Sequence, residues 1–260
     1  MTLSVNTNTT ASSSARMLNI NHAQIQRSLT KLSTGRRINS PADDAGGLAV
    51  SMKMSAAIRR NSAVQNNVNN AIAFLQTQDG AMGTYGSILD RMSELKMLHQ
   101  DITKSSSDKS NYNTEFLQLK AQLTNLASEK FNNVNLFGTA LSAVAITEDG
   151  GQTVALTTIT LPTVAAASLG VLTVSDITTA ISTVATDRAI NGASSNRLQY
   201  ALDMLSINKV NLEAANGRIL DADIASESTE FAKLQILSQA NSAMLSQANT
   251  LPQAALRLIS

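Results

Sequence analysis

Apolar residues in this chain recur every seven positions. Val68, Leu75, Met82 and Leu89 fall one heptad apart, and Ala71, Gln78, Tyr85 and Met92 trace a second seam beside them. Two such seams, broken only by Gln78, predict a helix that packs along its length against another helix. Between Ala42 and Leu161 there is no proline to interrupt it. A start signal precedes it in Asn39-Ser40-Pro41-Ala42-Asp43-Asp44. Ser40 reads as the N-cap, Pro41 as the first helical residue, and the Asp43 and Asp44 carboxylates meet the positive end of the helix dipole. A helix unbroken from Pro41 to Gln100 is about 90 Å long at 1.5 Å per residue. Gly80, Gly83 and Gly86 interrupt its apolar content. They mark either a bend or helix end near residue 86, or a small-residue face where another helix comes close.

The turn formers Lys104–Asn111 lead into a second helix carrying Phe116, Leu119, Leu123 and Leu126, and a short turn returns it antiparallel. After Gly138 the pattern changes. From Ala140 to Ser182 the charges are Glu148, Asp149 and Asp176, in a background of Thr, Val, Ala and Ser. Val144–Thr147, the turn Glu148-Asp149-Gly150-Gly151, and Thr153–Thr160 predict a hairpin. The segment reads as a solvent-side excursion, yet Leu156–Val174 is apolar enough to need cover. The heptad resumes by Ala180 with Leu198, Leu205, Leu212 and Ile219. A last helix after Gly217-Arg218 carries Phe231, Leu234, Leu237, Met244, Ala248 and Leu251.

The two ends match. Leu18, Ile25, Leu29 and Leu32 have offsets 0, 7, 11 and 14, as do Leu237, Met244, Ala248 and Leu251. That predicts termini paired as a coiled coil. The fold class is therefore mainly α, a long antiparallel helical rod or coiled-coil bundle with a small β-hairpin in its central region.

Composition removes much catalytic chemistry. The 260 residues hold no Cys and two His, His22 and His99, which excludes thiolate nucleophiles and disulfides. No HExxH or phosphate-binding glycine loop occurs. Asp43–Asp44 and Asp221/Asp223 are carboxylate pairs, but neighbours at i+1 or i+2 do not face each other on a helix, so capping is the better reading. Neither an enzyme, a metal site nor a cofactor is expected. Net charge is +1, and the basic pairs Arg36-Arg37 and Arg59-Arg60 lack interleaved aromatics, which argues against nucleic acid. No run of about 18 apolar residues predicts a membrane span. The N-terminal stretch lacks the pattern of a secretory signal peptide. What remains is assembly: terminal helices with a narrow apolar stripe order by packing on copies of themselves.

Two segments resemble a known family. Leu32-Ser33-Thr34-Gly35-Arg36-Arg37-Ile38-Asn39-Ser40-Pro41-Ala42-Asp43-Asp44-Ala45-Gly46-Gly47-Leu48-Ala49 is similar to the N-terminal signature of bacterial flagellins, with Gly47 as a departure. Arg218-Ile219-Leu220-Asp221-Ala222-Asp223-Ile224-Ala225, with Gln235-Ile236-Leu237-Ser238-Gln239-Ala240, resembles the C-terminal one. The resemblance implies a structural subunit of the extracellular flagellar filament; the rival is another axial protein, such as a hook–filament junction protein. It further implies that residues 1–43 and 221–260 form a coiled-coil domain lining the bore, and that 44–220 form a helical rod domain with 139–180 as a reduced variable segment. Leu18, Ile25, Leu29, Leu32, Leu237, Met244, Ala248 and Leu251 become candidate self-assembly seams. The implied partners are further copies, a cap protein, a junction protein, a secretion chaperone and a type III export apparatus that delivers the chain outside the cell. Arg91, Glu94 and Leu95, with Glu115 as a partner, are similar to the stretch that a flagellin-sensing Toll-like receptor reads in many bacteria, though Asp90, Ser93 and Lys96 depart from it.

Overall fold

The computed structural model describes residues 7–259, with side chains to Thr250. Five helices and two short hairpins follow in the order α1 (Thr9–Thr34), α2 (Ala45–Gln100), α3 (Ser106–Ala127), β1 (Lys130–Phe131), β2 (Val134–Asn135), β3 (Val144–Ala145), β4 (Thr153–Val154), α4 (Val174–Leu220) and α5 (Ile224–Ile259). The chain divides into two compact units, Met1–Ala56 with Leu212–Ser260, and Ala57–Asn211.

In the first unit α1 packs along α5. Asn8 caps α1 by accepting from the Ala11 N–H, and Gly35 ends it in the left-handed region at φ 66°, where a side chain would be strained. The connectors after α1 and after α4 then zip together. Arg37 N–H donates to Leu220 O at 2.6 Å, Ala222 N–H to Gly35 O at 3.0 Å, and Arg36 and Asp221 form an antiparallel bridge.

The start signal works differently from its sequence reading. Helix α2 begins at Ala45, four residues after Pro41, and Asp44 is its cap, accepting from Gly47 N–H at 2.8 Å. Ser40-Pro41-Ala42-Asp43 is a turn of its own, closed by the Asp43 carboxylate, which accepts from the Asn39 and Ser40 N–H groups. Two adjacent acids thus close two consecutive turns.

In the second unit the expected seam is the core. Val68, Leu75, Met82, Leu89, Tyr85 and Met92 of α2 are buried with Phe116 and Leu123 of α3 and Leu198 and Leu205 of α4. Gln78, the polar break in the seam, is buried and bonded: its amide donates to Leu136 O, and its oxygen accepts from Asn191, which also donates to Leu75 O. Helix α2 runs through all three glycines without ending, and a Cβ at Gly80, Gly83 or Gly86 meets nothing within 4 Å. Neither a helix end at residue 86 nor a close approach inside the chain explains them.

Other expectations shift. Helix α3 starts at Ser106 under a Ser105–Asp108 capping box, so Asp108–Asn111 are helical rather than turn. Helix α4 starts at Val174, capped by Thr173 through Asp176 N–H, six residues before periodicity reveals it. The β3–β4 hairpin pairs Val144 with Val154, but its second strand stops at Val154 rather than Thr160. Beyond it the chain turns inward, not outward: Ile159, Leu161, Leu169 and Leu172 are buried in the core. The Tyr85 hydroxyl donates to Pro162 O, while the Lys120 and Lys96 ammoniums donate to Ala166 O and Leu169 O. These three side chains of α2 and α3 satisfy carbonyls of a buried loop that has no ladder of its own.

The first hairpin escaped the sequence reading. Asn132 and Asn133 both take positive φ, 47° and 65°, as a two-residue turn joining strands of matching twist requires. An Asn-Asn pair is a weaker signal than Asn-Gly, and Phe131, meeting Phe74 edge-on at 5.9 Å, lies in too short a run to register as a strand.

Candidate assembly and recognition surfaces

The α1–α5 pair carries an unusual seam. On α1 the buried residues are Ser14, Asn21 and Ser28, one heptad apart. Half-buried Leu18, Ile25 and Leu32 occupy the alternate positions. On α5, Leu234 and Ala248 are buried, while Phe231, Ser238, Asn241 and Leu245 are half-buried. The Asn8 amide reaches across to Ala248 O at 2.8 Å, and Lys31 pairs with Glu227 at 3.7 Å. Small polar residues at the centre of the contact leave little apolar area to hold the pair, at about 25 cal/mol per Å².

The candidate seam residues therefore divide. Leu18, Ile25, Leu32 and Ala248 face the contact between α1 and α5, whereas Leu29, Leu237 and Met244 are exposed. Leu251 lies outside the described side chains. Met17, Ile20, Ile224 and Ile236 join the exposed apolar set, although sequence reasoning passed over them. For Met17, Ile20 and Ile236 the signal was available, since each sits off the heptad that its own helix buries; Ile224 falls on the register of Phe231, Ser238 and Leu245 and gave none.

On α2 the Arg91 guanidinium donates from Nε to Glu115 Oε1 at 2.8 Å and from Nη1 to Glu94 Oε2 at 2.9 Å. Those bonds, Glu115 first, raise its pKa further above an already high value. Arg91 and Glu94 are exposed, but Leu95 is fully buried in the core. A partner docking on this face touches the ion-pair network and not Leu95.

The carboxylate pairs are structural. Asp43, Asp44 and Asp223 accept from backbone N–H groups at turns and helix starts, and Asp221 sits in the bridge to Arg36. Among the described residues no cluster of His, Cys, Asp and Glu could hold a metal, and no helix is long and apolar enough to cross a membrane.

Residues 5–140 match the bacterial flagellin N-terminal helical region, and residues 174–259 match the bacterial flagellin C-terminal helical region. A flagellin of Halalkalibacterium halodurans is 35% identical, the alignment covering 98% of this chain and 99% of that one. The flagellar filament 30.7 kDa core protein of Treponema maltophilum is 33% identical over the same shares of both chains. The crystal structure of Bacillus cereus flagellin superposes with a TM-score of 0.49 at 26% identity, covering 58% of this chain and 94% of that one. With both helical ends matched in order and relatives aligned over almost their whole length, the chain belongs to the bacterial flagellins.

Proposed function

We propose that this chain is the structural subunit of a flagellar filament and that it works by packing, not by chemistry. One observation carries the mechanism: the α1–α5 pair buries Ser14, Asn21 and Ser28 while Leu29, Ile236 and Met244 stand in solvent. A helix pair that hides its small polar residues and shows its large apolar ones is incomplete as a monomer. Copies supply the missing cover, and the ordering cost of the ends is met only on assembly.

In this reading the terminal helices form the inner, bore-lining domain and the helices between them form the surrounding rod. The protein acts outside the cell after export, with a secretion chaperone, a cap and a junction protein as partners. A Toll-like receptor, if it reads this chain, does so through Arg91 and Glu94.

Electron microscopy of purified protein with short filament seeds tests the core of the proposal. Long, smooth filaments are expected from the wild type. Leu29→Asp, at a side chain more than half exposed in the monomer, is expected to abolish elongation while leaving the helical circular dichroism intact. A wild-type chain that stays monomeric on seeds, or a Leu29→Asp variant that elongates normally, overturns it. For the receptor, Arg91→Ala is expected to silence a reporter cell line that responds to wild-type monomer.

A further inference from the structure

Asparagine followed by glycine occurs twice in the sequence, at Asn191-Gly192 and Asn216-Gly217, and both pairs lie in α4. This dipeptide is chemically labile, because a glycine nitrogen with no side chain beside it can attack the neighbouring side-chain carbonyl. A helix withholds the reaction in two ways. It engages each N–H with the carbonyl four residues back, and it fixes backbone angles that keep the nitrogen away from the side chain. Deamidation inside a helix therefore proceeds through local opening.

The two sites differ in how firmly they are closed. Asn191 is 2% exposed, and its amide donates to Leu75 O at 3.0 Å and to Gln78 Oε1 at 3.2 Å. Asn216 is half-buried, and its amide donates to the Ser55 hydroxyl at a long 3.4 Å. Its Oδ1 is buried without a donor among the described residues, which penalises the closed state. Gly217 costs the helix about 1 kcal/mol against alanine. It also stands in the last turn of α4, which ends at Leu220, and helix ends fray. The fold does not admit a shielding side chain there. A Cβ on Gly217 lies 2.7 Å from Oδ2 of Asp221, the residue that bridges to Arg36.

We propose that Asn216-Gly217 is a self-modification site, which deamidates through fraying of the last turn of α4 while Asn191 stays intact. The Gly217 nitrogen, freed from its helical bond, loses its proton to hydroxide and bonds to Asn216 Cγ. The Cγ–Nδ2 bond breaks, and Nδ2 takes a proton from water and leaves as ammonia. Water then opens the succinimide ring at either carbonyl, leaving aspartate or isoaspartate. The isoaspartate form runs the main chain through the side-chain carbon and adds a methylene just before the zipped connectors. There Arg37 donates to Leu220 O and Ile219 O, and Ala222 donates to Gly35 O. An altered chain loses that register, so the site limits the working life of the terminal unit. The chemistry belongs to the single chain and does not depend on the filament reading.

Ageing the full-length protein in mildly alkaline buffer, followed by peptide mapping with mass spectrometry, tests the proposal. Asn216 is expected to convert at least about tenfold faster than Asn191 in the folded chain. In urea the two should convert at similar rates, because the dipeptide is the same and the fold is gone. Wild-type protein should develop a lower-melting fraction enriched in isoaspartate at residue 216. Asn216→Ser, which cannot form the ring, should keep its own melting temperature through the same ageing. Equal rates in the folded chain overturn the proposal, as does an Asn216 that stays intact while the denatured chain converts. A rate difference that persists in urea, or an equal decline in Asn216→Ser, overturns it as well.

Discussion

Two glycines in α2 look alike in sequence and behave oppositely in space. A Cβ on Gly47 lies 2.5 Å from Asp44 Oδ2 and 2.8 Å from Ile38 Cδ1, so the capping carboxylate and a buried isoleucine must both move. Gly47→Ala gains about 1 kcal/mol of helix propensity but loses a cap of similar worth and strains the Ile38 contact, for a net loss of about 1–2 kcal/mol. Gly83→Ala meets open space and gains about 1 kcal/mol in the monomer. Thermal unfolding of the two variants should therefore shift in opposite directions. Carboxylates at helix and turn starts set the acid limit. Asp43 is held below its ordinary pKa of 3.8 chiefly by the Ser40 N–H, Asp108 by the Ser105 hydroxyl and Asp176 by the Thr173 hydroxyl. Groups with lowered values stabilise fully above their unfolded pKa and lose that contribution as pH falls through the folded one. The share of the melting temperature that these carboxylates supply should hold at higher pH and decline once pH drops below about 3.8. Asp187 runs the other way: burial raises its pKa, and its Oδ2 is buried without a partner. Asp187→Asn should raise the melting temperature at neutral pH and change nothing near pH 3.

At the scale of elements, the polar break in the α2 seam is a joint rather than a flaw. Gln78 links α2 to the Leu136 carbonyl and to Asn191 of α4, all buried. Gln78→Leu strands the groups it served and should cost about 1–3 kcal/mol. In Gln78→Leu/Asn191→Leu the loss should be less than additive, which a double-mutant cycle in denaturant would measure. In the first hairpin, Asn133 holds φ 65°, which a β-branched side chain resists. Asn133→Val should cost about 1–3 kcal/mol, while Asn133→Gly should be neutral or better. The pair α1–α5 and the core of the second unit also differ in kind. A seam of Ser14, Asn21 and Ser28 cannot match one of Val68, Met82, Leu89 and Leu198 in buried apolar area. Amide exchange in the monomer should be at least about a hundredfold faster in α1 and α5 than beside Leu198 and Leu205, and the gap should narrow in filaments.

For the whole molecule, the proposed function rests on surfaces that the single chain leaves exposed. Exposed apolar residues of α1 and α5 such as Leu29, Ile236 and Met244 cost solubility in a monomer, and the proposed filament is what would cover them. Leu205→Ala and Ile236→Ala separate burial in the monomer from cover in the filament. The first should cost about 2–5 kcal/mol of monomer stability and the second under about 0.5 kcal/mol. Seeded assembly should respond to both.

The sequence by itself determined the helical class, the pairing of the two ends, the antiparallel return of α3 and the family, because heptads and signature motifs are local and repeat. It also identified the seam from Val68 to Met92, since one apolar stripe admits one buried face. Tertiary structure decided what periodicity leaves open. It moved the start of α2 from Pro41 to Ala45, because Asp43 closes a turn on Asn39 and Ser40 while Asp44 alone caps the helix at Gly47. It drew Leu156–Val174 into the core by way of Lys96, Lys120 and Tyr85, partners far away in sequence. It left Leu18 half-buried and Leu29 in solvent, although an eleven-residue offset is within about 20° of three full turns and puts both on one face; spacing gives the face, but not how wide a stripe α5 covers. Buriedness is a property of the neighbour a helix finds, and the chain alone does not say which of its apolar faces is covered first.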